Sequence, residues 1–360
     1  MALGISIYPE HARPEDTLAY LDRASAAGAT RVFTCLLSAE ADRATVEGEY
    51  RALSDAAHAR GMAVTVDVAP SVFSRFGLAA DDLSLFQAMH VDCLRLDEAF
   101  TGEQVAALTH NGAGLSVELN ASVNDGLLPA VLANDPDRRR LQACHNFYPQ
   151  PYCGLDLGFF EQVSQPFRDA HVPLAAFVGC TDHGAFGPWP LHEGLPTLEC
   201  HRDLPLDLQV RHLQATGLVD DVLVSDCYPT DRELATVAAL DPARVTLRPV
   251  LSEEDTDLEL EILSGFPHQV RGDLSPYLFR STMSRVAYAG RAFPAHDTRP
   301  LVEGDVVIVN ESSARYAGEL QIVRRSMPND GTRNVVGHLG AGERLLLPCL
   351  TSWKHFGFLL

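Results

Sequence analysis

Two short stretches carry acids where chemistry could be done. "CLRLDEA" begins at Cys93 and "GLSVELNAS" at Gly114. In an extended strand alternate side chains share a face. Arg95 therefore falls in step with Asp97, and Glu118 with Ser116, Asn120 and Ser122. The opposite phase of the second stretch, Leu115, Val117, Leu119 and Ala121, is apolar. Two further strand-like stretches add Thr65 and Asp67, and Gly4, Ser6 and Tyr8, to the polar side. Buried charges must be paired or used. Two carboxyl groups flanking one bond can hydrolyse a glycoside, one protonating the leaving oxygen while the other serves as base or nucleophile. Asp97 and Glu118 are the nominated pair, with Asn120 orienting the substrate. Asp67 and Arg95 are expected to lie deeper, as an ion-balancing layer.

A third stretch, "HNFYPQPYCGL" from His145, is too polar and aromatic for a buried strand and too stiff for a solvent loop. Rings beside an amide suit a ligand with apolar faces and hydroxyls, such as a sugar. His145, Asn146 and Tyr148 are therefore expected at the substrate, with Tyr8. The long segment from Cys180 to Arg202 and the end of the strand-like "DDVLVSD" hold reserve carboxylates. Asp182, Glu193, Glu199 and Asp226 are each a candidate, with a cap or salt bridge as the plainer role. Further on, "FRSTMSR" and "NESSARYAGELQ" combine arginines with hydroxyls, as a phosphate or carboxylate site requires. Arg280, Ser281, Arg285 and Arg315 are the candidates there.

Positioning these groups needs a scaffold that gathers strand ends. Eight strand-like segments alternate with helix-like ones, beginning at Leu3, Arg31, Met62, Cys93, Gly114, Ala143, Val172 and Asp220. The alternation predicts an α/β fold, a (β/α)8 TIM barrel over residues 1–243, whose catalytic groups lie at the C-terminal strand ends. A doubly wound open sheet is the alternative, but no glycine-rich fingerprint follows the first strand. Residues 244–360 change character: "DVVIVNE", "ELQIVRR", "RNVVGHLG" and "ERLLLPCL" predict a small all-β domain, a barrel.

Composition removes several function classes. The formal net charge of −20 argues against a nucleic-acid partner. Lys354 is the single lysine, six residues from the end, which argues against a Schiff base, pyridoxal phosphate or a Walker-type phosphate loop, and no cofactor is expected. The eight cysteines form no CxxC pair and are read as reduced thiols. No membrane span or leader is apparent, so a cytoplasmic location is expected. Two other readings stay open. A sugar-phosphate lyase or isomerase could use Asp67, Asp97, Glu118 and His145 around a divalent metal, although no HxH or HExxH spacing supports a tight metal site and none is assigned. A sugar-binding protein without catalysis is the other. Whether the chain pairs as a homodimer is not legible.

Several motifs recur together in one known family. "GISIYPEH", "FTCLLS", "LRLDEAF", "ELNAS", "HNFYPQPYCGL", "EGLPTLECHR", "RSTMSR" and "RYAGELQIV" resemble the MupG-type 6-phospho-N-acetylmuramidases over nearly the whole chain. The resemblance implies a TIM barrel followed by a cyclophilin-like β-barrel. It also implies cytoplasmic hydrolysis of the β-1,4 bond between N-acetylmuramic acid 6-phosphate and N-acetylglucosamine, a step of peptidoglycan recycling. Gln150 stands where the family pattern leads us to expect a basic residue, and Cys153 where we expect threonine. An unphosphorylated glycoside is thus the alternative substrate.

Overall fold

The computed structural model describes residues 2–97, 100–181, 184–189 and 193–360. The chain divides into two compact units, residues 1–213 with 217–239, and residues 214–216 with 240–360.

The first unit is a closed parallel barrel in which each strand pairs with the next and the eighth with the first. Its strands are β1 (Ala2–Ser6), β2 (Ala29–Cys35), β3 (Ala63–Val68), β4 (Cys93–Leu96), β5 (Ser116–Asn120), β6 (Leu141–Cys144), β7 (Leu174–Val178) and β8 (Asp221–Val224). The outer phase packs on helices. Leu157–Asp169, capped by Asp156, turns Phe160, Val163, Ser164 and Phe167 inward at helical spacing.

The inner phase is polar for one layer. Register places Cys35, Asp67, Arg95, Glu118 and Gln142 side by side across β2 to β6. Most barrel lumens are filled by branched apolar side chains. Here two guanidiniums, Arg31 and Arg95, meet two carboxylates, Asp67 and Glu118, and the layer is close to neutral.

The second unit contains a five-stranded sheet, order β10-β15-β13-β14-β12, and a three-stranded sheet, order β11-β16-β9. These are β9 (Val245–Leu247), β10 (Pro249–Leu251), β11 (His268–Gln269), β12 (Leu278–Ser281), β13 (Asp305–Val309), β14 (Leu320–Val323), β15 (Arg333–Leu339) and β16 (His355–Phe358). One expected strand is absent: "ERLLLPCL" forms a 3-10 helix over Glu343–Cys349. Its three successive leucines lack strand alternation, and Pro348 has no N–H to give a sheet ladder.

Candidate active site

The C-terminal rim of the barrel gathers the polar groups by stages. Asp67 lies level with Arg95 in the buried layer and is 5% exposed. Its Oδ1 accepts from Arg95 Nη1 at 2.6 Å. Burial pushes its carboxyl up to about 6, while the Arg95 charge acts in the opposite sense. Arg95 then reaches upward in two directions. Nη1 donates to Asp97 Oδ1 at 3.2 Å, and Nη2 donates to the Asn146 side-chain oxygen. Asn120 Nδ2 also donates to Asp97 Oδ1, at 3.3 Å. Asp97 follows the last residue of β4 and is 23% exposed at its side chain. Its Oδ2 carries no hydrogen bond among the described residues. A carboxylate held through one oxygen with the other directed elsewhere is equipped to meet a substrate.

Glu118 does not sit where a catalytic partner must. It faces the lumen, but one layer below Asn120, and is 0% exposed. Its Oε2 accepts from Arg31 and, at 2.7 Å, from Gln142 Nε2, while Oε1 lies 4.0 Å from Arg95 Nε. It is the counter-charge of a buried ion layer and presents no exposed surface to a substrate. This placement, with that of His145, also dissolves the set of hard ligands that a divalent-metal reading required. A different trio, Cys200, His201 and His212, has ligand atoms within 4.8 Å of one another, but His201 Nε2 and His212 Nδ1 are already hydrogen-bonded to each other at 2.8 Å.

The stretch that opens at His145 leaves the sheet at once, since β6 ends at Cys144. His145 turns outward, correcting its assignment to the substrate. Its ring lies between Ser122 Oγ at 3.3 Å and Ser164 Oγ at 2.9 Å, against Phe160, and burial lowers it to about 3, so it is neutral. Ser122 Oγ in turn accepts from the Asn146 backbone at 2.7 Å. His145 thus supports the loop that aims Asn146 inward. Phe147 does not follow the alternation. It packs edge-on against Phe33 and Phe177, rings contributed by β2 and β7. Tyr148 is half-buried and its backbone is fixed by Pro196 and Arg202.

Glu199 proves to be the anchor of this loop. Its two oxygens accept from the backbones of Tyr152 at 2.8 Å and Gly154 at 2.7 Å, and both also accept from Arg202. The Arg202 guanidinium and the loop amides hold its carboxyl down at about 2. With its lone pairs committed, Glu199 is not a substrate ligand. Glu199→Ala is expected to lower stability by about 1–2 kcal/mol, through loss of charged hydrogen bonds, and to raise KM more than it lowers kcat. Thermal melting and steady-state kinetics check this.

Tyr8 is also corrected. It is fully buried, and its hydroxyl donates to the Ser225 carbonyl at 2.7 Å. Asp226, just beyond β8, is 5% exposed; its Oδ2 accepts from the Cys180 backbone at 2.8 Å and from Ser225 Oγ at 3.2 Å. Burial pushes it up to about 6. In a closed ring of eight, β4 and β8 are diametrically opposed, so Asp97 and Asp226 stand on opposite sides of the mouth. Asp182 lies outside the described residues, and Glu193 is exposed. In the second unit Ser281 is buried, its hydroxyl within 2.9 Å of His268 Nδ1, and is no ligand residue. Arg280, Arg285 and Arg315 do come together, around the ring of Tyr316.

Arg31, Arg202 and Glu319 are not among the candidate site residues that the sequence singles out. Arg31 was within reach, because it shares the inward phase of Phe33 and Cys35; the partners of the other two are fixed only by the fold.

Family models for the N-terminal and C-terminal parts of 6-phospho-N-acetylmuramidase match residues 3–239 and 245–359. The chain belongs to this family. It is accordingly a glycosidase, and the family implies a sugar substrate. An uncharacterized B. cereus protein of known structure is 36% identical, with a TM-score of 0.92 over 100% of this chain and 99% of that one. A conserved Enterococcus faecalis protein of unknown function is 26% identical, with a TM-score of 0.73 over 100% of this chain and 96% of that one. A comparison with curated proteins returns no match. No helix among the described residues is long and apolar enough to cross a membrane.

Proposed function

We propose that this chain hydrolyses the β-1,4 bond between N-acetylmuramic acid 6-phosphate and N-acetylglucosamine, in the cytoplasm, as a step of peptidoglycan recycling. Residues 1–243 are the catalytic domain in this reading, and residues 244–360 a cyclophilin-like domain. The observation that carries it is Asp97: a carboxylate at the barrel rim, fixed through one oxygen by Arg95 and Asn120 and, among the described residues, without a hydrogen bond at the other.

The roles follow from placement. Glycoside cleavage develops positive charge at the anomeric carbon while the leaving oxygen needs a proton. Asp97 faces that positive charge and directs the nucleophile. Asp226, raised to about 6 by burial, gives the proton from across the mouth. Asn120, Asn146 and Tyr148 hold the hydroxyl and acetamido groups, and Phe147 offers an apolar ring face. Arg95 keeps Asp97 and Asn146 in register and is itself steadied by Asp67 beside it.

The direct experiment incubates the protein with phosphorylated and unphosphorylated muramyl disaccharides and follows products by mass spectrometry. Release of N-acetylglucosamine from the phosphorylated compound is expected. Cleavage of the unphosphorylated one alone would overturn the substrate while leaving the glycosidase standing, and Gln150 makes that comparison worth running.

A further inference from the structure

The second unit gathers its arginines around one aromatic ring. Arg285 lies 5.1 Å from the Tyr316 centroid, and Arg280 and Arg315 each lie 6.0 Å from it. The antiparallel pairing of β12 with β14 sets Arg280 opposite Gln321 and so brings the two arginine-rich motifs together. The loop carrying Arg315 and Tyr316 is pinned to the helix Met283–Ala287. Ser284 Oγ donates to the Gly318 carbonyl at 2.7 Å and accepts from the Leu320 backbone at 3.1 Å. Gly318 permits this approach, since its φ is +83° and a Cβ there would meet Phe293 at 2.9 Å.

The charges in this cluster do not balance. Glu319 is 0% exposed and takes Arg280 bidentately, at 2.7 and 3.1 Å, with Gln321 Nε2 added at 2.8 Å. Arg280 is thereby neutralised. Arg285 Nη1 stays 3.7 Å from the same carboxylate, out of hydrogen-bond range, and donates no hydrogen bond among the described residues although solvent does not reach it. Arg315 is exposed and makes no ion pair among the described residues. Arg333, the next guanidinium along, is taken up by Asp330 and Gln321. Two positive charges remain beside a half-open ring, on a chain of net charge −20. Like charges held together by the fold repel unless an anion joins them.

We infer that this cluster is a binding site for a phosphomonoester dianion, with Arg285 and Arg315 as its charged ligands and Tyr316 as a flat wall. Two guanidiniums match a dianion in charge, and their planar forks match phosphate oxygens in geometry. A carboxylate supplies half the charge and is the weaker ligand. The site stands independently of the hydrolysis proposed above.

The test is calorimetric titration of the full chain with inorganic phosphate, and with acetate as the monoanion. Saturable phosphate binding is expected, about tenfold weaker in Arg315→Gln and lost when Arg285→Gln is added, with acetate weaker throughout. Arg315 is exposed, so its variant folds and keeps the test decisive if the double variant does not. The absence of saturable binding, or equal phosphate affinity in the native chain and Arg315→Gln, would sink the site. Disaccharide hydrolysis is scored separately: phosphate binding without hydrolysis strikes the reaction and not the site, and the reverse strikes the site alone.

Discussion

Asp97→Asn is expected to reduce kcat on the phosphorylated disaccharide by about a thousandfold, equivalent to roughly 4 kcal/mol of transition-state stabilisation, with KM changed little. Asparagine keeps the shape and can still accept from Arg95 and Asn120 through its oxygen, so the rim stays assembled. What disappears is the negative charge facing the anomeric carbon. Because Asp97 is partly exposed and lies outside the buried layer, its melting temperature should stay within about 2 °C of the native value. Glu118→Gln gives the opposite pattern. Removing one member of a buried ion layer leaves Arg31 and Arg95 under-compensated and costs roughly 3–5 kcal/mol of stability. The folded fraction should retain turnover. Paired melting curves and initial rates separate the two residues. If Asp97→Asn turns over normally, Asp97 leaves the mechanism. If Glu118→Gln folds normally but is inactive, Glu118 takes part in the chemistry.

That pair also shows how far the sequence could be read. Alternation correctly turned Asp67, Arg95, Asp97, Glu118 and Asn120 toward the lumen, because a two-residue period fixes the face of a strand. It could not fix height along the barrel axis. Height depends on how neighbouring strands are staggered, and the register sets Arg95 level with Glu118 rather than with Asn120. A step of two residues along β5 separates a buried counter-ion from a rim amide. Tyr8 falls in the inward phase for the same reason, yet its hydroxyl is used by the backbone carbonyl of Ser225, just beyond β8. Alternation also failed where the strand stopped. Once β6 ends at Cys144, His145 still faces outward but Phe147 curls over the lumen. Glu199 was indistinguishable from a reactive acid, because its partners lie 45 and 47 residues earlier in the loop that it anchors.

Asp226 supplies the remaining large effect, and its sign is fixed by burial. A carboxyl raised to about 6 holds its proton below that pH and loses it above, so the acid form falls tenfold with each further unit. The kcat/KM of the disaccharide should therefore decline with a slope of −1 above pH about 6. Asp226→Asn should lower the rate by about 10²–10⁴ and abolish that limb. Asp67 is raised to a similar value, so the limb needs an owner: Asp67→Asn should keep it, because Asp67 is buried in the layer of Arg95 and Glu118, below the rim. Stability gives an independent reading. The folded state binds this proton more tightly than the unfolded chain, so stability is lost as pH rises from the unfolded value through about 6. Replacing Asp226 by asparagine removes that loss, about 3 kcal/mol at neutral pH. The variant should thus melt higher than the native chain at pH 8 and match it near pH 4, even as it loses activity. A variant that loses activity and stability together at pH 8 would mean that Asp226 works through its hydrogen bonds to Cys180 and Ser225, and the proton donor would have to be sought elsewhere on the rim.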